Sequence, residues 1–174
     1  MADVFETLSR LDSNKLVDVV KNYKQYGYDD SVRETAVSIL ASRGIDSETL
    51  RLTGNDKNSS YDSASTIFNG FTQDSKRCIG FYISALLFML VAKAVISVNE
   101  VVAGVLVILF WIAILGYTIF LIRAYLKQNE FYKSIDKPKE SGEQIGLFIV
   151  GMPLFVFLYF YLRGKMEEDL KLIS

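Results

Sequence analysis

Residues 78–122 read CIGFYISALLFMLVAKAVISVNEVVAGVLVILFWIAILGYTIFLI, and this stretch decides the fold. It is two apolar runs joined by Ser97-Val98-Asn99-Glu100. Val101 to Ile122 is 22 residues without a charge; Cys78 to Ala92 is 15, and the run continues past Lys93 to Asn99. A bilayer core about 30 Å thick is crossed by ~20 apolar helical residues. Lipid offers the backbone no hydrogen-bond partner, so such runs span as helices. The reading is a transmembrane hairpin with spans at about 78–97 and 100–122. Ser97 and Glu100 have capping-box spacing, and a carboxylate suits a helix N-terminus, so the second span starts there.

On the C-terminal side, the second helix is expected to continue beyond Arg123 as a stalk through Tyr125, Leu126, Phe131 and Tyr132, stopping before Pro138. Ile145 to Leu162 is a third apolar run of 18 residues, about 27 Å long at helical rise. It is read as a third span, kinked near Pro153, with Tyr159, Tyr161 and Arg163 at the far interface. The competing reading makes it re-entrant, folding back at Gly151-Met152-Pro153. Residues 163–174 are a short tail of mixed charge.

On the N-terminal side lies a polar segment. Residues 1–54 read as a soluble helical domain, and 55–77 as a linker followed by a juxtamembrane amphipathic helix. Asp12 is an N-cap, with Leu11 and Leu16 as a hydrophobic staple. Leu16, Val19, Val20, Tyr23 and Tyr26 follow at helical spacing. Gly27 suits the left-handed residue that ends a helix. Asp29-Asp30-Ser31 restarts the chain, and Val32, Ala36, Ile39 and Leu40 form the next stripe up to Arg43-Gly44. Two facing stripes make an αα-hairpin with Leu16, Val20, Ala36 and Leu40 in the shared core. Asp46 opens a third, short helix ending near Gly54. Tyr61, Ala64, Phe68 and Phe71 then recur at three- and four-residue intervals, which suits a helix on the membrane surface or one packed on the helical hairpin.

Composition excludes several functions. Residues 1–77 carry 10 Lys/Arg against 12 Asp/Glu, a balance without the basic face that nucleic acid requires. The chain has no histidine, which removes histidine metal sites and histidine-based nucleophile pairs. One cysteine, Cys78, leaves no intrachain disulfide. No phosphate loop or dinucleotide fingerprint is present. Asn58-Ser59-Ser60 is a formal glycosylation sequence, without meaning on the cytoplasmic side. No signal peptide is read before residue 78. No catalytic, cofactor or metal residues are assigned, and the chain is read as not an enzyme.

Residues 11–55, LDSNKLVDVVKNYKQYGYDDSVRETAVSILASRGIDSETLRLTGN, resemble the N-terminal segment of a largely uncharacterised group of small bacterial multi-pass membrane proteins. The pattern is a leucine-rich helix, a Tyr-x-x-Tyr-Gly-Tyr turn (Tyr23, Tyr26, Gly27, Tyr28), a second helix with central Ala36, and an Arg43-Gly44-Ile45 stop. The resemblance implies a membrane-attached helical domain and brings no catalytic residues with it.

Two groups of residues stand out as candidate sites. Tyr23, Tyr26 and Tyr28 cluster at one turn, and tyrosine is a common interface anchor. Lys93 is the one charge inside an apolar run, and Glu100 lies seven residues on, roughly on the same face. Lys93 is also within reach of the headgroups by snorkelling. Gly80 and Ser84 form a small-xxx-small pair, and Trp111, mid-span, is expected to pack on another helix. Cations flank the hairpin on one side: Lys76, Arg77, Arg123, Lys127, Lys133, Lys137 and Lys139. Arg163, Lys165 and Lys171 lie on the other side if the third run spans. This asymmetry places the N-terminal domain in the cytoplasm of the inner (plasma) membrane and the C-terminus outside.

The expected fold class is therefore all-α, an integral membrane protein with three transmembrane helices. The expected function is a membrane-anchored adaptor or accessory subunit that binds another membrane or cytoplasmic protein through its N-terminal domain. The alternative is a small oligomeric channel or transporter using Lys93 and Glu100.

Overall fold

The computed structural model describes residues 2–137 and 154–173, and all regular structure among them is helical. The chain divides into two compact units. One is Met1–Asp62 with Lys171–Ser174, the other Ser63–Leu170.

The first unit is built from helices α1 (Ala2–Ser9), α2 (Ser13–Asn22), α3 (Asp30–Ser42) and α4 (Ser47–Leu52). Each of the last three starts on an aspartate. The carboxylates of Asp12, Asp29 and Asp46 accept from the backbone N–H of Lys15, Val32 and Thr49, satisfying donors that a helix start otherwise leaves orphaned. Each stops on a glycine at positive φ: Gly27 at 74°, Gly44 at 87° and Gly54 at 70°. At the first stop, the Tyr28 N–H donates to Tyr23 O at 2.8 Å and the Gly27 N–H to Lys24 O at 3.1 Å, the paired bonds of a Schellman ending.

Between these stops the apolar stripes meet as expected. Leu16, Val20, Ala36 and Leu40 are fully buried together, joined by Val19, Ile39, Leu50 and Leu8. The α2–α3 pair is antiparallel. Tyr23, at the end of α2, bonds Asp30 at the start of α3. Arg43, at the end of α3, donates to the carbonyls of Leu11 and Ser9. Arg43 thereby clamps the α1–α2 corner to the core.

The second unit is dominated by α5 (Ser59–Val95, 37 residues) and α6 (Glu100–Ser134, 35 residues), which are long and apolar enough to cross a membrane. The expected juxtamembrane helix is not a separate element: it is the first part of α5. Asp74, Lys76 and Arg77 do not interrupt that helix. Asn99 caps α6, accepting from the N–H of Val101 and Val102, so the expected cap at Ser97 is corrected by two residues. The stalk continuation of α6 is present through Ser134. It stops with Asp136 at φ 51°, where the Lys137 N–H reaches back to Tyr132 O.

The seam between α5 and α6 repeats every seven residues. Ala64, Phe71, Cys78, Ala85 and Ala92 are all buried on α5. Ala103, Tyr117, Ala124 and Phe131 are buried in the same phase on α6, with Leu121 and Gln128 beside them. A seven-residue repeat on two helices is the pattern of a left-handed coiled coil. The register is antiparallel. Cys78 Sγ lies 3.7 Å from Tyr117 O, and Asp74 Oδ2 3.2 Å from Arg123 Nε. The seam is close: a Cβ on Gly116 would meet the Phe81 ring at 2.7 Å. Cys78 is therefore a buried seam residue.

Helix α7 (Phe155–Lys171) completes the unit. Residues 138–153, which hold most of the third apolar run, lie outside the described residues. The described end of that run departs from expectation in two ways. The helix does not stop at Leu162 but continues to Lys171. Its Tyr159 ring lies 6.2 Å from that of Phe71, seven residues before the first apolar run begins. Lys137 pairs with Asp169 at 3.1 Å. In the first unit, Gln25 donates to the Lys171 carbonyl at 2.8 Å.

Candidate functional site

The three tyrosines of the α2–α3 turn behave differently. Tyr23 is half-buried. Its hydroxyl donates to Asp30 at 2.8 Å, and its ring has Lys24 Nζ and Arg33 Cζ each 5.7 Å from the centroid. Burial, then the bond to Asp30, raises its pKa. Tyr26 and Tyr28 are 49% and 46% exposed and meet edge to face at 6.0 Å. The Tyr26 hydroxyl donates to Asp18 at 2.7 Å, and this bond raises its pKa. The ring pair is thus held in place while its outer edges stay open. Tyr28 also lines an apolar hollow of about 240 Å³ with Val4, Thr7, Leu8 and Val32.

Beneath Tyr26 runs a polar chain that sequence reading missed. Asp18 accepts from Asn22, and Asn22 accepts from Asn58, each at 2.7 Å. Asn58 Oδ1 in turn accepts from the Tyr61 N–H and so caps α5. Asn22 and Asn58 are buried. The formal glycosylation asparagine therefore has its amide nitrogen committed inside the fold. Beside it, Arg33 pairs with Asp56 and Lys24 with Asp62. In the sequence, Asn58 reads only as part of a formal glycosylation sequence and gives no sign of this hub.

In the second unit, Lys93 and Glu100 line one groove of about 640 Å³ near the hairpin turn. Its wall is otherwise apolar, including Met89, Ala92, Ile96, Ala103, Gly104 and Trp111. Both charged residues are exposed, and they form no ion pair with each other among the described residues. Trp111, expected to pack on another helix, lies on the exposed side of α6 within this chain. It is 64% exposed and meets its neighbour Phe110 edge to face, at 5.5 Å. Gly80 is likewise exposed, with nothing within 4 Å of a Cβ built there.

At the other end of the apolar hairpin, Asp74 is buried and gathers Arg123 at 3.2 Å and Arg77 at 3.8 Å. Both guanidinium groups also sit 5.6 Å from the Phe120 ring centroid. A buried carboxylate without such partners would be costly, and here two cations hold it. Its partners lie three and 49 residues away, so no local pattern in the sequence announces the cluster. Further along, burial and nearby Asp169 raise the pKa of Tyr132. Among the described residues, no group of three acidic or cysteine side chains comes together as metal ligands.

Comparison with protein-family models, with curated proteins and with solved structures gives no match.

Proposed function

We propose that the protein is a non-catalytic, membrane-anchored adaptor or accessory subunit of a membrane complex, with the N-terminal helical unit as its partner-binding part. The observation that carries this reading is the Tyr26–Tyr28 pair. Two rings are fixed by the Schellman turn and the Asp18 bond, half-open, beside an apolar hollow. Aromatic anchors that are ordered before binding lose little entropy when a partner covers them. The long helices α5 and α6 serve as the anchor in lipid.

The orientation we favour puts the N-terminal unit in the cytoplasm of a bacterial inner membrane, following the resemblance of residues 11–55. Lys137 pairs with Asp169, and the Gln25 amide donates to the Lys171 carbonyl, so the tail is read on the same side as the N-terminus. That gathers all ten flanking cations on one face, which strengthens the positive-inside argument. In this reading the chain crosses the membrane twice, and the third run takes the re-entrant alternative.

The test is affinity capture with the full-length protein from native membranes under gentle extraction. A specific partner should be retained by the wild type and lost from the Tyr26→Ala/Tyr28→Ala variant, with the helical signal unchanged. Retention by both would remove the tyrosine pair from the reading. The alternative, an oligomeric channel or transporter, draws its support from Lys93 and Glu100 sharing a groove. The groove wall is mostly apolar, which suits packing better than ion passage.

A further inference from the structure

The groove near the hairpin turn joins three features. Its floor is made of Ala92, Ala103 and Gly104, and a Cβ built on Gly104 would meet nothing within 4 Å. Its mouth holds one cation and one anion, Lys93 and Glu100, without a mutual ion pair. At its other end stands Trp111, a large side chain with little cover. In lipid no hydrophobic force draws helices together, so association depends on close packing and polar pairing. The rest of the hairpin's outer face presents large aliphatic side chains such as Leu86, Leu90, Ile108, Ile112 and Leu115, which suit lipid tails.

We propose that this groove is the contact between two copies of the chain, related by a two-fold axis normal to the membrane. The argument is reciprocal charge complementarity. A two-fold rotation sets each groove against itself, so Lys93 of each copy meets Glu100 of the other, and two pairs form from one. Depth permits this. Lys93 lies one helical turn before the chain reverses and Glu100 opens the next helix, so both are near the same membrane level. A lysine stem that snorkels toward the turn closes the remaining gap. The small-residue floor lets the two hairpins approach closely, and each Trp111 indole supplies a knob for the opposing groove. This contact is independent of the tyrosine turn, so the dimer and the adaptor reading stand or fall separately.

The test is a charge exchange in the full-length protein in phospholipid vesicles, read by energy transfer between labelled copies at several protein-to-lipid ratios. The wild type should associate. Lys93→Glu alone carries two anions in the groove, and Glu100→Lys alone carries two cations. Each should associate about tenfold more weakly. Mixed one to one, they should pair again, because every carboxylate at the mouth of one groove then faces an ammonium at the mouth of the other. As a second measurement, Gly104→Cys in a Cys78→Ser background should form an oxidant-dependent cross-link between copies. Three outcomes would overturn the proposal: a monomeric wild type at every ratio, single variants that associate as well as the wild type, or a mixture that stays apart. Co-purification of one phospholipid per chain, lost in both single variants and not restored by mixing, would assign the groove to a lipid instead.

Discussion

In the N-terminal unit α2, α3 and α4 run at most 13 residues, each starting on an aspartate cap and each followed by a stop glycine. In the hairpin, α5 and α6 run 37 and 35 residues with no interior stop, even through Asp74-Ser75-Lys76-Arg77. The cores differ in the same sense. The first unit buries leucine, valine and isoleucine, whose removal from water drives folding there. The hairpin turns its large aliphatic residues outward and buries alanine, cysteine and tyrosine along a seven-residue seam. Water rewards burying bulk. Lipid does not, so on the proposed membrane reading the hairpin gains instead from letting two backbones come close.

The largest expected effect tests the first half of that contrast. Leu40→Ala removes a fully buried side chain from the centre of the small core and should destabilise the N-terminal unit by roughly 2–5 kcal/mol. Hydrogen exchange on the full-length protein should report faster opening in α2 and α3 and unchanged protection in α6 between Ala103 and Leu121. Equal loss in both places would mean that the two units do not fold independently.

The second half is tested by Gly116→Ala. The added methyl would lie 2.7 Å from the Phe81 ring, so the seam must shift. Overpacking of this kind costs about 1–3 kcal/mol, measurable as hairpin unfolding in bicelles. Adding Phe81→Leu to that variant should recover part of the loss. A wild-type stability for Gly116→Ala alone would argue that the helices are not in close contact there.

The smallest effect concerns the caps. Hydrogen bonds from Ser31 and the Val32 N–H hold the Asp29 carboxyl below its usual range, and bonds from Thr49 do the same for Asp46. A depressed folded-state pKa gives stability that is present above the ordinary carboxylate value and is lost as the pH falls through the depressed one. Asparagine caps helices without titrating. In Asp29→Asn/Asp46→Asn the acid limb of the N-terminal unit's stability should therefore be shallower, as followed by circular dichroism through the acid range in which carboxylates titrate. An unchanged limb would assign the acid sensitivity to other carboxylates.

Much of the first unit was legible because its signals are local. Asp12, Asp29 and Asp46 announce starts, Gly27, Gly44 and Gly54 announce stops, and the stripes between them name the core residues. The two long apolar helices were legible from length and hydropathy. What was hidden depends on distance or on mixed residue types. Asp74 looks like a membrane boundary until Arg123 is placed beside it. The seam Ala64, Phe71, Cys78, Ala85, Ala92 keeps perfect phase, but alternation of small and aromatic residues does not read as an apolar stripe. The Tyr159 ring beside Phe71 was not legible either, because the two residues lie 88 apart in the chain. Of the candidate residues, the tyrosine turn could be located from sequence. The hydroxyl partners of Tyr23 and Tyr26 could not, since Asp30 and Asp18 become neighbours only when the turn closes.

The seven-residue seam makes length equivalent to phase. One residue inserted in α5 between Cys78 and Ala85 would turn everything after it by about 100°. Ala85 and Ala92 would leave the seam, and Lys93 would leave its groove. A deletion of seven residues would keep the phase but shorten the helix by about 10 Å, leaving its apolar run too short for the bilayer. Insertions of one or two residues at the Gly27 or Gly54 turns carry no such penalty, because each following helix sets its own start at Asp29 or Asn58. The hairpin thus tolerates almost no change of length, while the N-terminal unit accepts one at its turns.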